Sequence, residues 1–258
     1  MADGALPVLM YHGIHADAGQ PGVFDPVYSV HPGDFARQLD WLVANGYRSV
    51  RLAAGDEAHA GERRVVITFD DGDVSNAEVA LPLLVERGMT AEFFVTSGFV
   101  DTPGRLTAAQ VRTLAGAGMG VQSHGATHRY LEDLDERALD AELAGSKHEL
   151  ERISAAPVTA LALPGGRGGE RERLAALRLG YRELLNSAPG CNARRRAGAY
   201  LQRLAVTRPL PLGDFAALVQ WRGLLPRRVR ARYHALRLLK RTVGNGRYER
   251  LRERLLTS

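Results

Sequence analysis

The feature that most constrains this chain is a unit that recurs along it. Each copy has a segment with helical hydrophobic periodicity, then a glycine, then a short apolar segment. Four copies read FARQLDWLVANG–YRSV, AEVALPLLVERG–MTAEFFVTS, AAQVRTLAGAG–MGVQSH and ERERLAALRLG–YRELLNS. The glycines stand where a helix is expected to end in the left-handed region: Gly46, Gly88, Gly118 and Gly180. Strands that alternate with helices predict parallel pairing through right-handed crossovers.

Further apolar segments bring the predicted set to seven or eight strands: residues 7–12, 64–69, 158–163 and 203–206. This strand count and the length of 258 residues favour an α/β fold, a single distorted (β/α)7-8 TIM-like barrel, over an open doubly wound sheet. No glycine-rich phosphate loop follows the first strand, which argues against a nucleotide-binding Rossmann domain.

We assign residues 1–221 to the barrel and the helical stretch 133–154 to a crossover within it. Asp34 and Phe35 are predicted to open the first helix, and Thr107 to cap the third.

Charge is distributed unevenly and sets the last 37 residues apart. Residues 222–258 carry 12 Lys/Arg against 2 Glu, which leaves 22 basic and 27 acidic residues in the rest of the chain. We assign this segment to a basic helical extension, with apolar residues at Val229, Tyr233, Leu236 and Leu239. One interpretation is peripheral contact with an acidic membrane or a lipid-linked glycan. The other is a terminal helix packed on the barrel with a solvated basic face. No nucleic-acid partner is expected, because no recognition fold accompanies the charge.

The N-terminus, MADGALPVLMYHG, has no basic start and no long apolar stretch, so we recognise no signal peptide. No apolar run approaches the length that crosses a bilayer. The single cysteine, Cys191, excludes an internal disulfide framework. We therefore expect a cytoplasmic or membrane-peripheral protein, or a periplasmic one if the sequence begins after a removed segment. Nothing in the sequence indicates an oligomeric state.

Polar residues follow several predicted strands, at the edge where (β/α) barrels carry their chemistry. The apolar run at 65–67 leads to two adjacent carboxylates, Asp70 and Asp71, which repel each other and cost desolvation when buried. A later strand ends in SHGATH, which supplies His124 and His128. Two histidines and one carboxylate form a site suited to zinc, iron, cobalt or nickel. A bound cation would neutralise one carboxylate and leave the other ionised as a base.

Together, TFDDG (68–72) and SHGATH (123–128) resemble the polysaccharide deacetylases of the NodB-homology type, carbohydrate esterase family 4. The resemblance covers roughly residues 6–210. It implies that Asp70 is the catalytic base. It also implies one divalent metal ion, zinc with cobalt or nickel as alternatives, held by three side chains: Asp71, His124 and His128.

The third motif of that family, Arg-x-Pro-aromatic-Gly, reads ALPGG here, with Ala162 in place of the arginine. The resemblance still assigns the oxyanion or the substrate to three residues: Thr68, Pro164 and Gly165. The arginine that orients the base must then come from elsewhere, and the candidates are Arg167 and Arg203. The family's fourth motif has no match in LLNSAPGCN.

The family's catalytic acid, a C-terminal Leu-His-Asp, is also missing, and VLMYHG stands at the start of the chain instead. This placement resembles the N-terminally permuted subgroup that deacetylates exopolysaccharides of the poly-N-acetylglucosamine type. The first and last strands of a closed barrel are neighbours, so the permutation preserves the site. On this resemblance we assign His12 as the acid.

The resemblance implies a metal-dependent hydrolase that removes N-acetyl groups from an N-acetylhexosamine-containing polysaccharide or oligosaccharide and releases acetate. Its partner would be an acetylated glycan. Two alternatives are an O-acetyl esterase using the same site and a catalytically degenerate glycan-binding protein. A non-haem iron oxygenase is disfavoured by the histidine spacing and by the strand–helix alternation.

Several other residues receive simpler interpretations. The histidines outside the two motifs are expected at the surface: His15, His31, His59, His148 and His234. Tyr11 is expected to pack in the core. Asp25 and Tyr28, in the loop after His12, are candidates for the rim of a substrate groove or for a structural role.

Overall fold

The structure, a computed structural model, describes residues 5–52, 61–192 and 198–243, with side chains through residue 236. Its strands are β1 (Val8–Tyr11), β2 (Tyr47–Ser49), β3 (Arg63–Asp71), β4 (Glu92–Val95), β5 (Gly120–Ser123), β6 (Ala160–Ala162), β7 (Glu183–Leu185), β8 (Tyr200–Leu201) and β9 (Leu204–Ala205). Its helices are α1 (Pro32–Ala44), α2 (Leu81–Glu86), α3 (Ala108–Gly116), α4 (Glu136–Ser154), α5 (Glu170–Arg178), α6 (Leu212–Val219) and α7 (Leu225–Val243). His59 lies outside the described residues.

The strands form one curled parallel sheet in the order β8-β7-β6-β5-β4-β3-β1-β9, and β2 pairs with the start of β3. Parallel pairing was expected from the alternation of strands and helices, and the α/β TIM-like barrel is confirmed. The first strand also lies beside the last, with Leu9 opposite Leu204. The strand predicted over 203–206 forms only as the short strand β9. A second short strand, β8, precedes it, and Arg203 lies between the two.

Helix ends follow the local chemistry of the sequence. The four predicted helix-terminating glycines all have positive φ angles, between 61° and 87°. Thr107 caps α3 with a capping box that includes Gln110, as predicted. The first helix begins at Pro32, earlier than Asp34, because the His31 side chain accepts a hydrogen bond from the Gly33 N–H and caps it.

The alternation of side chains along each strand decides which residues face the inside of the barrel. A small apolar cluster that includes Val8, Val66 and Ala162 lies apart from the large cluster that packs on the helices. His12 lies four residues after Val8, and Asp70 lies four residues after Val66. Each therefore falls on the same face of the sheet as the apolar residue before it. The inward faces of β1 and β3 therefore end in a histidine and a carboxylate.

The helix α7 packs on the barrel through Leu225 and Val229, which lie against the large core cluster. Its arginines at 227, 228, 230 and 232 are exposed. None of the helices in the described part of the chain is both long and apolar enough to span a bilayer. The division into a barrel and a tail at residue 222 stays a prediction.

Candidate active site

Asp70 and Arg203 form a buried, two-pronged ion pair inside the barrel. Asp70 is 3% exposed and Arg203 only 1%. Arg203 Nη1 donates to Asp70 Oδ1 at 2.7 Å, and Nη2 donates to Oδ2 at 2.8 Å. Arg203 Nε donates to the Asn186 carbonyl at 2.9 Å. This fork holds the Asp70 carboxylate in one plane.

The ion pair also sets the charge of the carboxylate. Burial by itself would raise the pKa of Asp70, but Arg203, together with the weaker effects of His124 and His12, outweighs it, and the pKa is lowered. Thr68 lies beside the pair, fully buried, and its hydroxyl donates to the Leu9 carbonyl at 2.7 Å. The hydroxyl also lies 3.4 Å from Arg203 Nη1, and a role of Thr68 in binding substrate stays a prediction.

Asp71, His124 and His128 bring three metal-ligand atoms within 4.8 Å of one another. Asp71 Oδ1 lies 3.4 Å from His124 Nε2 and 3.2 Å from His128 Nε2. His124 Nδ1 lies 2.8 Å from the Ala162 carbonyl, which fixes the ring and leaves Nε2 facing the cluster. Asp71 Oδ1 is buried and has no hydrogen bond among the described residues.

Unusual backbone conformations turn two of these residues toward each other. Asp71 has φ 71° and His128 has φ 61°, in the left-handed region that costs a non-glycine residue free energy. The loop that carries His128 is held by Thr127, whose N–H and hydroxyl donate to Glu142 at 2.6 and 2.9 Å. The surrounding structure therefore stabilises a geometry that the backbone alone disfavours.

The electrostatics of the cluster favour a cation. Burial opposes charge on Asp71, yet His124 and His128 hold the pKa of this carboxyl well below its usual range. Burial also disfavours a charged His124, but Asp70 and Asp71 outweigh it and raise the pKa of the imidazole. A site with two imidazoles, a carboxylate oxygen without a hydrogen bond and a neighbouring carboxylate fits a divalent metal ion.

His12 stands at the end of β1 on the same inward face. Its ring lies against the ring of Tyr28, with centroids 4.6 Å apart, and its Nδ1 is buried without a hydrogen bond among the described residues. Burial lowers the pKa of His12, and the nearby carboxylates of Asp70 and Asp71 offset this only in part. His12 is therefore close enough to the two carboxylates for their charges to act on it, and its role as the acid stays a prediction.

The turn after β6 carries Pro164 and Gly165 at the same edge. Gly165 has φ 61°, and a Cβ there would lie 2.6 Å from Tyr130 Cε1. Arg167 stacks over Tyr130 at 3.9 Å and lies 3.8 Å from Glu132. Of the two candidate arginines, Arg203 is therefore the one that pairs with Asp70.

Two residues near the cluster had no signal in the sequence. Arg105 Nη1 lies 4.0 Å from Asp71 Oδ2, and its guanidinium lies 4.9 Å from the centre of the Phe99 ring. The Phe99 ring centre is 6.2 Å from that of His128. These contacts extend the site beyond the motifs and give it an aromatic and basic side.

One expectation about the other histidines is wrong. His15 is fully buried, with Nε2 3.1 Å from Asp73 Oδ1. A histidine in a polar loop looks exposed in sequence, but the loop folds back on the end of β3. His148 and His234 are exposed, as expected. Tyr11 packs in the core, and its hydroxyl donates to Gln38.

This geometry belongs to the class of (β/α)-barrel hydrolases that carry their catalytic groups at the carboxyl ends of the strands. The family model described as polysaccharide deacetylase matches residues 57–184. The chain therefore contains a polysaccharide deacetylase domain of the NodB-homology type.

Individual relatives agree with this assignment. The Bacillus subtilis (strain 168) protein YxkH, provisionally named a polysaccharide deacetylase, is 28% identical over 220 residues, 83% of this chain and 76% of that protein. The crystal structure of BC0361, a polysaccharide deacetylase from Bacillus cereus, aligns with a TM-score of 0.75 at 26% identity, over 84% of this chain and 69% of that one. The poly-beta-1,6-N-acetyl-D-glucosamine N-deacetylase of Escherichia coli (strain K12) is 38% identical over 80 residues, 29% of this chain but only 12% of that protein.

Proposed function

We propose that this protein is a metal-dependent deacetylase that removes N-acetyl groups from an N-acetylhexosamine-containing glycan and releases acetate. One observation carries the proposal. An ionised carboxylate, Asp70, is clamped by Arg203 directly beside a separate carboxylate and two imidazoles that are arranged to hold a cation. The match to an N-acetylglucosamine polymer deacetylase over 80 residues supports the substrate class.

Asp71, His124 and His128 would hold the metal ion. A divalent ion there, zinc with cobalt or nickel as alternatives, supplies Lewis acidity toward the acetamide carbonyl and lowers the pKa of a bound water. Without a metal ion, Asp70 and Asp71 favour a proton on His124. The positive charge of the metal ion would take the place of that proton. Metal affinity should therefore fall as the pH falls and His124 becomes protonated.

The side chains then divide the proton transfers. Asp70 accepts a proton from the attacking water, because Arg203 keeps the carboxylate ionised and correctly aimed. The Gly165 N–H is assigned to the developing oxyanion. His12 donates a proton to the departing amine nitrogen, without which an amine is a poor leaving group.

The structure removes one reason to regard the protein as a degenerate binder. The missing motif arginine suggested an incomplete site, yet Arg203 supplies a guanidinium to the base from the segment between β8 and β9. A different observation favours an O-acetyl ester as a second candidate substrate. Because burial lowers the pKa of His12, less of its acid form is present at neutral pH, and an alkoxide leaving group needs less protonation.

Acetate release from two substrates tests both candidates. Chito-oligomers with N-acetyl groups and an O-acetylated xylan are incubated with the protein before and after chelation, and then with zinc, cobalt or nickel added back. The proposal predicts N-acetyl turnover that chelation removes and metal restores. Turnover only on the xylan would transfer the assignment to the ester, and activity unaffected by chelation would reject the metal mechanism.

A further inference from the structure

The loop between β1 and α1 covers His12 and is held by contacts that the proposed chemistry does not use. The Tyr28 ring lies on the His12 ring at a centroid distance of 4.6 Å and an interplanar angle of 37°. Asn76 Nδ2 donates to the His12 carbonyl at 2.8 Å, which fixes the backbone but not the ring. His12 Nδ1 has no hydrogen bond among the described residues, so packing against Tyr28 is one contact that restrains the imidazole.

Tyr28 is itself held in a tight turn. Asp25 Oδ1 accepts hydrogen bonds from the N–H groups of Val27 and Tyr28 at 2.7 and 2.9 Å. The Ser29 N–H donates to the Asp25 carbonyl at 2.8 Å, and the Asp25 N–H donates to Ser29 Oγ at 2.8 Å. This closed set of bonds fixes the backbone from which the Tyr28 ring projects. Asp25 therefore has a structural role.

The turn is anchored to the segment that follows β3, the strand that carries Asp70 and Asp71. Asp73 Oδ2 accepts from the Val23 N–H at 2.6 Å, and Asp73 Oδ1 lies 3.1 Å from His15 Nε2. The other ring nitrogen of His15 is 3.0 Å from Ser29 Oγ. His15 is tightly enclosed, because a Cβ on Gly22 would lie 2.2 Å from its Nε2. A continuous chain of contacts thus runs from Asp73 to Tyr28.

Arg208 closes the same loop from the far side. Its Nη1 donates to the His15 carbonyl at 2.9 Å, and its Nη2 donates to the Ala16 carbonyl at 2.6 Å. Its backbone N–H donates to the Val27 carbonyl at 2.7 Å. The loop is therefore attached to the chain after β9 as well as to the end of β3, and both attachments converge on the residues that flank Tyr28.

We infer that Tyr28 is a positioning residue that holds the His12 imidazole, and that His15 and Asp73 are the anchor that keeps Tyr28 in place. The consequence for catalysis rests on the proposed function, in which His12 protonates the leaving amine. An amide needs that proton, whereas an ester with a phenolate leaving group does not. Loss of the Tyr28 ring should therefore slow amide hydrolysis far more than hydrolysis of an activated ester.

The zinc-loaded full chain and its Tyr28→Leu and Tyr28→Phe variants are compared on N-acetyl chito-oligomers and on 4-nitrophenyl acetate. Leucine has a comparable apolar bulk but no flat ring, and phenylalanine retains the ring. We expect Tyr28→Leu to lower kcat/KM about tenfold or more on the amide and less than about threefold on the ester. Tyr28→Phe, which keeps the ring, should retain more of the amide turnover than Tyr28→Leu. Equal losses on both substrates, or no loss on the amide, would overturn the inference.

The role of His15 in the anchor is tested with the variant His15→Ala. Its control is His148→Ala, a change of the same kind at an exposed histidine. The ratio of amide to ester turnover does not depend on the fraction of protein that is folded, so a partly unfolded His15→Ala sample remains informative. We expect a lowered ratio for His15→Ala and an unchanged ratio for His148→Ala. An unchanged ratio for His15→Ala would remove His15 from the anchor.

A measurement without turnover separates this inference from the proposed function. Carbethoxylation of His12 by diethyl pyrocarbonate, followed by peptide mass mapping, reports how well the ring is covered. Modification should be several-fold faster in Tyr28→Leu than in wild type or Tyr28→Phe. If wild type released no acetate but this contrast held, the function would fail and the contact would stand. Equal modification rates in all three proteins would overturn the inference itself.

Discussion

Two acids in the same barrel, Glu92 and Asp71, differ in how fully their carboxylate oxygens are hydrogen-bonded. Glu92, at the start of β4, is fully buried. Its Oε1 accepts hydrogen bonds from Arg51 Nε at 3.0 Å and from the Leu52 N–H at 2.7 Å, and its Oε2 accepts from Gln122 Nε2 at 3.0 Å. Every oxygen of this carboxylate has a donor from the protein. Glu92 therefore acts as a structural connection across the strands.

At the opposite end of the strands, pairing is incomplete. Asp71 Oδ1 and His12 Nδ1 are both buried without hydrogen bonds in the described part of the chain. Buried polar atoms are nearly always satisfied in folded proteins, and Asp71 Oδ1 has only the His124 and His128 imidazoles within 3.4 Å among its described ion-pair partners. The contrast separates an acid that stabilises the fold from the acids to which we assign the proposed chemistry.

The largest expected effect comes from removing the proposed base. Asp70→Asn should lower N-acetyl turnover on the order of a hundredfold or more, because the neighbouring carboxylate, Asp71, is assigned to the metal ion and does not replace it as the proton acceptor. The zinc content, measured on the purified variant by mass spectrometry, should remain near one ion per chain. A variant that retains most of its turnover would show that Asp70 is not the base.

Glu92→Gln is the matched change at the structural acid. It places an amide where the carboxylate accepts from three donors, and should lower the free energy of unfolding by about 1–3 kcal/mol. Turnover per folded molecule should stay near that of wild type. Denaturant unfolding and acetate release measure the two quantities, and a large loss of turnover in the folded variant would break the contrast.

Sequence reasoning predicted much of this arrangement because strand ends can be recognised from hydrophobic patterns. His12, Asp70 and His124 each follow an apolar strand, and parallel strands bring their carboxyl ends to one edge. The choice of Arg203 over Arg167 could not be made in advance, because it depends on how β8 and β9 complete the sheet, 133 residues from Asp70. His15 was misjudged for a related reason, since its partner Asp73 lies in a distant part of the chain, just after β3.

The basic tail offers a second contrast, between its exposed arginines and those on the barrel. We propose that the tail contacts anionic lipid, so changing Arg227, Arg228, Arg230 and Arg232 to Gln should weaken binding to phosphatidylglycerol vesicles about tenfold or more. The control changes four exposed arginines of the barrel to Gln: Arg37, Arg48, Arg152 and Arg178. Cosedimentation at low salt measures binding. Equal weakening in both variants would contradict specific lipid contact by the tail and would favour the interpretation of its basic side as a solvated face.

Two glycines with the same φ of 61° compare the site with the surface. A Cβ on Gly88 meets nothing within 4 Å, whereas one on Gly165 reaches Tyr130. Both alanine variants should lose about 1–2 kcal/mol of stability from the left-handed backbone. Gly165→Ala alone should also lose several-fold in turnover. Equal turnover in the two variants would contradict the placement of Gly165 beside the reacting groups.

The smallest expected effect is in the acid dependence of metal-free protein. The pKa of Asp70 is lowered in the folded state, so its pairing with Arg203 stabilises the fold above the unfolded pKa near 3.9. That contribution is lost as the pH falls through the lowered folded value. In chelated samples, the difference in unfolding free energy between wild type and Asp70→Asn should therefore shrink below about pH 4. A difference independent of pH would contradict the shift.

The most direct test of the account is a crystal structure of the full chain grown with zinc, with anomalous diffraction recorded at the zinc edge. We predict one peak bound by Asp71, His124 and His128 at about 2.0–2.2 Å, with Asp70 still paired to Arg203 and not bound to the ion. Side chains that diverge with no peak between them, or a peak bound through Asp70 in place of Asp71, would contradict the division of roles between the two carboxylates.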